Sequence, residues 1–333
     1  MMNLELSTKM QENGFLVDWA ERVQYGLELS DEHREASEVM DEWARKIGER
    51  GVDKDNEIAE LVRRAITNDV VTAPDELISM LFDESSIGEF DDTYGEVEPK
   101  NTIRVYEAIK GGNVDASYID FTRVSPEWKE LQAETFIPYV DLRRGGYKTV
   151  ASLVNYMREA FAQKRWSILF NRAVAAVTAA PNLISEATGA PTATSADALA
   201  IYLMDIAEPG ESTVILGQNK YIMAMSKLPS AASIQSDAAK EAWRRYGSIG
   251  YYAGQEMRGF SGVRKMADGN LVIPNQVVLG IAGKIGAAIT RGETHVYESM
   301  DNNAEHVHLK ANGFSFGTMI TKPEKIAKIV MAQ

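Results

Sequence analysis

Gly313-Phe314-Ser315-Phe316-Gly317 has the Gly-x-Ser-x-Gly spacing of a hydrolase nucleophile elbow. That chemistry needs the serine on a sharp strand-to-helix turn, with a histidine later in the chain to take its proton. Here Ser315 falls inside an alternating extended run, and all four histidines (His33, His295, His306, His308) precede it. The pentapeptide is expected to be a strand with small residues on one face. Glu305, His306 and His308 suggest a metal cluster, since positions i and i+2 of a strand share a face. His295 could come from a neighbouring strand, but no third and fourth ligand can be identified. Solvent-facing strand histidines without metal are the expectation.

Other cofactor and acid–base signatures are missing. No glycine-rich loop ends in Lys-Ser/Thr, and Gly217-Gln218-Asn219-Lys220 supplies one glycine where a dinucleotide-binding turn needs three. Asp91-Asp92 is a carboxylate pair in an acidic connecting stretch, with no pocket around it. There are no cysteines, hence no disulfides, thiolate metal sites or cysteine nucleophiles. The basic pairs Arg143-Arg144, Lys164-Arg165 and Arg244-Arg245 are scattered. They could meet nucleic-acid phosphates without reading sequence, but salt-bridged surface pairs are the plainer expectation. No cofactor is expected.

The elements that carry these residues follow from composition and periodicity. The chain has 333 residues, 45% hydrophobic and 25% charged, so it can bury one large core or several smaller ones. No apolar run reaches membrane-spanning length, and the N-terminus lacks the basic start and apolar run of a secretory signal. The net charge of −13 is unevenly placed. Residues 1–100 hold 10 Lys+Arg against 26 Asp+Glu, leaving 25 against 22 for the other 233. An acidic leader on a near-neutral body is expected to lie on a surface or a partner, outside the main core.

Within the leader, Ala36, Val39, Met40, Trp43 and Ile47 predict a helix opened by Ser30-Asp31-Glu32. Residues 53–66 and 74–81 predict two more, and residues 83–100 read as a linker. Two β-rich arms, Thr102–Ile109 and Val114–Val124, flank Lys110-Gly111-Gly112-Asn113, predicting a long hairpin that carries Tyr118 and Phe121. Such a hairpin needs something to lie on. From Tyr147 to about Ala180 the chain has neither proline nor glycine, and Pro181 then stops a rod of roughly 50 Å. Beyond it, helices are predicted at 195–207, 219–228, 237–246 and 323–329. Strands are predicted at 212–216, 271–273, 277–281, 287–289, 295–297, 307–311 and 314–321. The fold class is α+β with non-local strand pairing.

The order of parts (acidic helical leader, long hairpin, one long helix ended by proline, mixed region, late strands) resembles the tailed-bacteriophage major capsid proteins. Ser212-Thr213-Val214-Ile215-Leu216-Gly217-Gln218-Asn219-Lys220-Tyr221 looks like that family's strand followed by a helix. Tyr251-Tyr252-Ala253-Gly254-Gln255-Glu256-Met257 is similar to its glycine-containing return, and the stretches 283–297 and 307–320 look like its late strands. The resemblance implies an N-terminal arm over 1–100, an extended loop over 101–146, and a spine helix opening the peripheral domain over 147–195. It further implies an axial domain over 196–282 and peripheral strands over 283–333.

It also implies a structural protein and no enzyme, forming hexamers and pentamers of itself in an icosahedral or prolate shell around double-stranded DNA. The implied partners are a scaffolding protein, a portal and a decoration protein. The implied place is the virion, after synthesis in the host bacterial cytoplasm. Contact candidates are Trp43 and Ile47 of the arm, Lys110, Gly111, Gly112, Tyr118 and Phe121 of the loop, and Arg143, Arg144, Arg244 and Arg245. Some relatives join a loop lysine covalently to a neighbour's asparagine. Lys110 stands in the matching place, but without the context of a catalytic glutamate, so no crosslink is expected. Two rivals are an encapsulin-like nanocompartment, which shares the fold but holds enzyme cargo, and a soluble enzyme with a concave pocket.

Overall fold

The computed structural model describes residues 15–46, 76–97, 122–228, 250–301 and 305–332, apart from 90, 92, 264, 267, 293 and 294. In chain order the helices are α1 (Phe15–Tyr25), α2 (Asp31–Lys46), α3 (Glu76–Leu81), α4 (Tyr139–Gly145), α5 (Tyr147–Ala176), α6 (Ala193–Ile206) and α7 (Asn219–Ser226). The strands are β1 (Phe82–Ile87), β2 (Gly95–Val97), β3 (Thr122–Val124), β4 (Glu127–Pro138), β5 (Leu183–Glu186), β6 (Thr213–Gln218) and β7 (Tyr251–Tyr252). They continue with β8 (Gln255–Phe260), β9 (Val277–Ala282), β10 (Gly286–Arg291), β11 (His295–Asp301), β12 (His306–Ile320) and β13 (Ile326–Met331).

Helix α5 is the predicted rod, 30 residues and hence about 45 Å long. Its first residue needs a glycine before it. Gly146 has φ +52, and a β-carbon there would fall 2.0 Å from a carboxylate oxygen of Asp41. That same oxygen accepts the Tyr147 amide at 2.9 Å, satisfying one of the helix's open donors. Helices α1 and α2 lie against this end. Leu16, Trp19 and Ala20 of α1 and Ala36 and Met40 of α2 join one core cluster with Val150, Val154, Met157 and Phe161. Asn155 donates to Gln24 at 2.6 Å, and Arg158 pairs with Glu21. The indole of Trp19 donates to Ser37 at 3.0 Å, which locks α1 to α2.

These contacts correct the expectation that the acidic leader stands outside the main core. The charges occupy the outer faces, whereas the apolar stripes are as buried as any in the chain. Helix α1 was not foreseen. The helices expected at 53–66 and 237–246 lie outside the described residues, as do the hairpin arms apart from Thr122–Val124, which forms β3.

Two sheets complete the fold. In the first, β12 is flanked along one edge by β4 and along the other by β11 and then β10, with β1 parallel on the far side of β10. The stretch read as a linker thus begins with an edge strand. Phe82 and Leu81 are buried, and the alternating strand signal is short and acidic. In the second sheet the order is β5-β13-β9-β6-β8-β7. Strand β13 replaces the helix expected at 323–329, of which only Pro323–Lys325 forms a single 3-10 turn. Ile326, Ala327 and Ile329 are fully buried between β5 and β9, and a near-continuous apolar run suits a strand covered on both faces. Both sheets draw strands from across the domain boundaries read in the sequence.

The 3-10 turn is anchored by Lys325, whose buried ammonium donates to Glu208 at 2.9 Å and Glu211 at 2.7 Å. Burial pulls the Lys325 ammonium down, but the two carboxylates outweigh it and leave its pKa raised above 10.5. Burial pushes Glu211 up, and the Lys325 hydrogen bond with the Glu208 amide outweighs that, leaving it below 4.5. The stability contributed by Glu211 is present above about pH 4.5 and lost as pH falls through its folded value; that of Lys325 is present below about pH 10.5 and lost as pH rises through its own. Lys325→Ala should lower unfolding stability by about 3 kcal/mol, the low end for a buried pair because Glu208 is mostly solvated. It should also flatten both limbs of a melting-temperature profile against pH.

Trp19→Ala should cost about 3–5 kcal/mol in the same unfolding measurement, because it opens a cavity under the α1–α2 hairpin. Limited proteolysis should then cut between residues 26 and 31 before any site in α5. An unchanged stability would return the leader to the surface.

Candidate assembly surfaces

The enzyme-like pentapeptide is built into β12. Along that strand Val307, Leu309 and Ala311 face inward, and then Phe314, Phe316 and Thr318 do so. The inward parity switches from odd to even, which requires one extra residue. The pairing with β4 shifts register between Asn312 and Ser315, placing a β-bulge at Gly313-Phe314. The two strands expected at 307–311 and 314–321 are therefore one bent strand. Gly317 is needed for a close approach, since a β-carbon there would stand 2.7 Å from the Trp128 ring. Arg291 caps that ring at 4.3 Å from its centroid. The glycines and serine of the motif thus serve a bulge and an indole rather than a nucleophile.

His295, His306 and His308 sit on the same sheet. His308 Nε2 is 2.6 Å from Glu134, and its ring stacks on Phe136 at 4.5 Å between centroids, with His306 edge-on to Phe136 at 5.1 Å. No group of three metal-ligating side chains occurs among the described residues. What this face presents instead is an exposed aromatic: Phe136 is 58% exposed, with Tyr297 similarly open across the ladder.

The predicted contact residues divide sharply. Trp43 lies in α2. Arg143 and Arg144 are exposed in the last turn of α4, immediately before α5. Ile47, Lys110, Gly111, Gly112, Tyr118, Phe121, Arg244 and Arg245 lie outside the described residues. The flanks of the expected hairpin are described: β2 and β3 pair antiparallel, Gly95 opposite Val124 and Val97 opposite Thr122, while residues 98–121 lie outside the described residues. Of the other basic pair, Lys164 bonds Asp268 at 2.8 Å, and that hydrogen bond, with the Asn270 amide, holds Asp268 down to about 2. Arg165 is buried, paired with Glu84 at 3.1 Å and set over the Phe316 ring. The ion-pair reading of Lys164-Arg165 holds, although Arg165 works inside the core.

Sequence reasoning missed the outer faces of α6 and α7. Ile201 and Met204 on α6 and Met223 on α7 are exposed, as are Tyr251 and Val263. Ile201, Met204 and Met223 stand inside continuous apolar runs, so the sequence does not tell them from their buried neighbours; the layer arrangement shows that α6 and α7 cover one face of the six-stranded sheet.

No family model and no curated protein matches this sequence. Solved structures do. The chain is similar to a capsid structure of the cyanophage P-SCSP1u, at 14% identity over 77% of this chain and 88% of that one, with a TM-score of 0.52. It is similar to the capsid of a native GTA particle with C5 symmetry, at 13% identity over 77% and 90%, TM-score 0.57. A structure from Mycobacterium phage Ogopogo matches at 13% identity over 78% and 92%, TM-score 0.54. The fold is that of tailed-phage major capsid proteins, as the order of parts in the sequence implied. Among the described residues no helix is long and apolar enough to cross a membrane.

Two substitutions separate the structural reading of the pentapeptide from a catalytic one. Ser315→Ala should leave the melting temperature and any assembly unchanged, within about 0.5 kcal/mol. Gly317→Val should displace Trp128, quench or shift its fluorescence, and lower stability by roughly 1–3 kcal/mol.

Proposed function

We propose that this chain is a major capsid protein, which assembles with copies of itself into a closed shell around the double-stranded DNA of a tailed phage. The observation that carries this is the shared fold: more than three quarters of the chain matches phage and GTA capsid structures, and those matches cover about nine tenths of the capsid chains. Their identity favours a phage shell over a nanocompartment. The role is structural and the site of action is the virion, reached after synthesis in a bacterial cytoplasm.

In this reading the chain supplies a rigid body with separate edges for its neighbours. Residues 98–121, carrying Lys110, Gly111, Gly112, Tyr118 and Phe121, reach from the β2–β3 base onto an adjacent copy. Arg143 and Arg144, exposed just before α5, and Arg244 and Arg245 are the basic residues offered to DNA phosphates without sequence reading. A scaffolding protein, a portal and a decoration protein complete the particle. The acidic first hundred residues face away from DNA, where clustered cations would be needed.

Negative-stain microscopy and size-exclusion chromatography on the full chain, alone and with neighbouring genes, test the proposal. Shells, or rings of five and six copies, are expected. Replacing residues 102–118 with a short glycine linker should leave a folded chain that no longer closes shells. A stable monomer or dimer under every condition would overturn the shell reading.

A further inference from the structure

Helix α6 is apolar on more sides than its place in the fold uses. It buries Leu199, Ala200 and Leu203 in the core beneath it and contains no lysine or arginine. It nonetheless presents Ile201 and Met204 outward, each 54% exposed. Asp197 and Asp205 stand one turn before and one turn after Ile201, so the outer stripe reads acid, apolar, acid over about 12 Å.

Helix α7 carries the opposite pattern. With Tyr221, Ile222 and Met225 buried, its outer stripe is Lys220, Met223 and Lys227: base, apolar, base over about 10 Å. Two of these charges are set in place by their own chain: Asp197 accepts from the Tyr252 hydroxyl at 2.6 Å, and Lys220 donates to Asn275 at 3.2 Å. Helix α6 lies over β5, β13 and β9, and α7 over β6 and β8, on one face of the same sheet. Within one chain Ile201, Met204 and Asp205 of α6 and Lys220, Met223 and Lys227 at α7 stay exposed, so each copy offers both halves of a complementary contact at the same time.

We propose that the outer stripe of α6 docks on the outer stripe of α7 in a second copy of this chain. Ile201 and Met204 cover Met223, and Asp205 meets Lys227 at the rim. Two different surfaces of identical chains make a head-to-tail contact, which closes into a ring when the rotation between copies allows it. The charges select the partner and orientation, and the apolar centre holds the contact. The inference rests on the shell reading and assigns to it one specific inter-copy contact.

Because the chain has no cysteine, the contact can be tested by disulfide trapping. In assembled particles of the full chain, Met204→Cys/Met223→Cys should cross-link under mild oxidation into a ladder that stops at the ring size. A mixture of the two single variants should give dimers only. In parallel, Asp205→Lys and Lys227→Glu should each raise the concentration needed for assembly roughly tenfold or more, and the double charge swap should restore it. Circular dichroism of every variant should match the parent, since all these positions are exposed. Particles that form but never join positions 204 and 223, or a charge swap that fails to rescue, overturn the contact and leave the shell reading standing. A parent chain that stays monomeric at every concentration overturns both, and trapping that instead requires a different protein from the same operon names that protein as the occupant of α6.

Discussion

Burial around the single helix α5 is the constraint on which the other parts depend. Its N-terminal half, through Val150, Val154 and Phe161, supports α1 and α2 on one side and the bulged strand β12 on the other, where Phe161 meets Phe314. Its C-terminal half supports the six-stranded sheet: Trp166 stacks on Phe170, and Phe260 of β8 packs edge-on against Phe170. Lys328 of β13 then donates to the Val174 carbonyl at 2.9 Å, satisfying one of the open acceptors at the helix end. Neither sheet is closed, and each is covered on one face because this helix runs beneath it. A rod of about 45 Å therefore carries the core contacts of both sheets along its length.

The long helix was legible because it is a local signal: 30 residues of good helix formers without proline or glycine. The α6 helix and strands β6, β9 and β10 were legible for the same reason, each being a short apolar pattern bounded by turn residues. Strand β12 was only half legible. Its inward parity reverses at Gly313, so the alternating pattern breaks in the sequence where the strand itself continues through a bulge.

Other elements were hidden by long-range context. The apolar stripe of α1 is short, and its role depends on Asn155 and Arg158, more than a hundred residues away. The acidic composition pointed outward because a charge count cannot distinguish a solvated helix from an amphipathic helix with a solvated back. Strand β1 is an acidic edge, kept in place by pairing with β10 and by Arg165 reaching up from α5 to Glu84. Strand β13 competes with a helical reading in isolation and is decided by the two strands that flank it.

The proposed shell role accounts in the same terms for the near-miss motifs of this sequence. Catalysis needs several groups converging on one point, and convergence leaves motifs with defined spacing. A shell needs several surfaces diverging from one rigid body, each made of ordinary residues whose meaning lies in what the next copy presents. Ser315, His306 and His308 occupy positions in a bulged sheet where glycine, aromatic and ion-pair contacts satisfy them locally. Ile201, Met204 and Met223, which no motif would select, are among the large apolar residues left exposed once the core positions are filled. Under the proposed shell role, the functional residues are apolar side chains that the fold holds in place and does not cover.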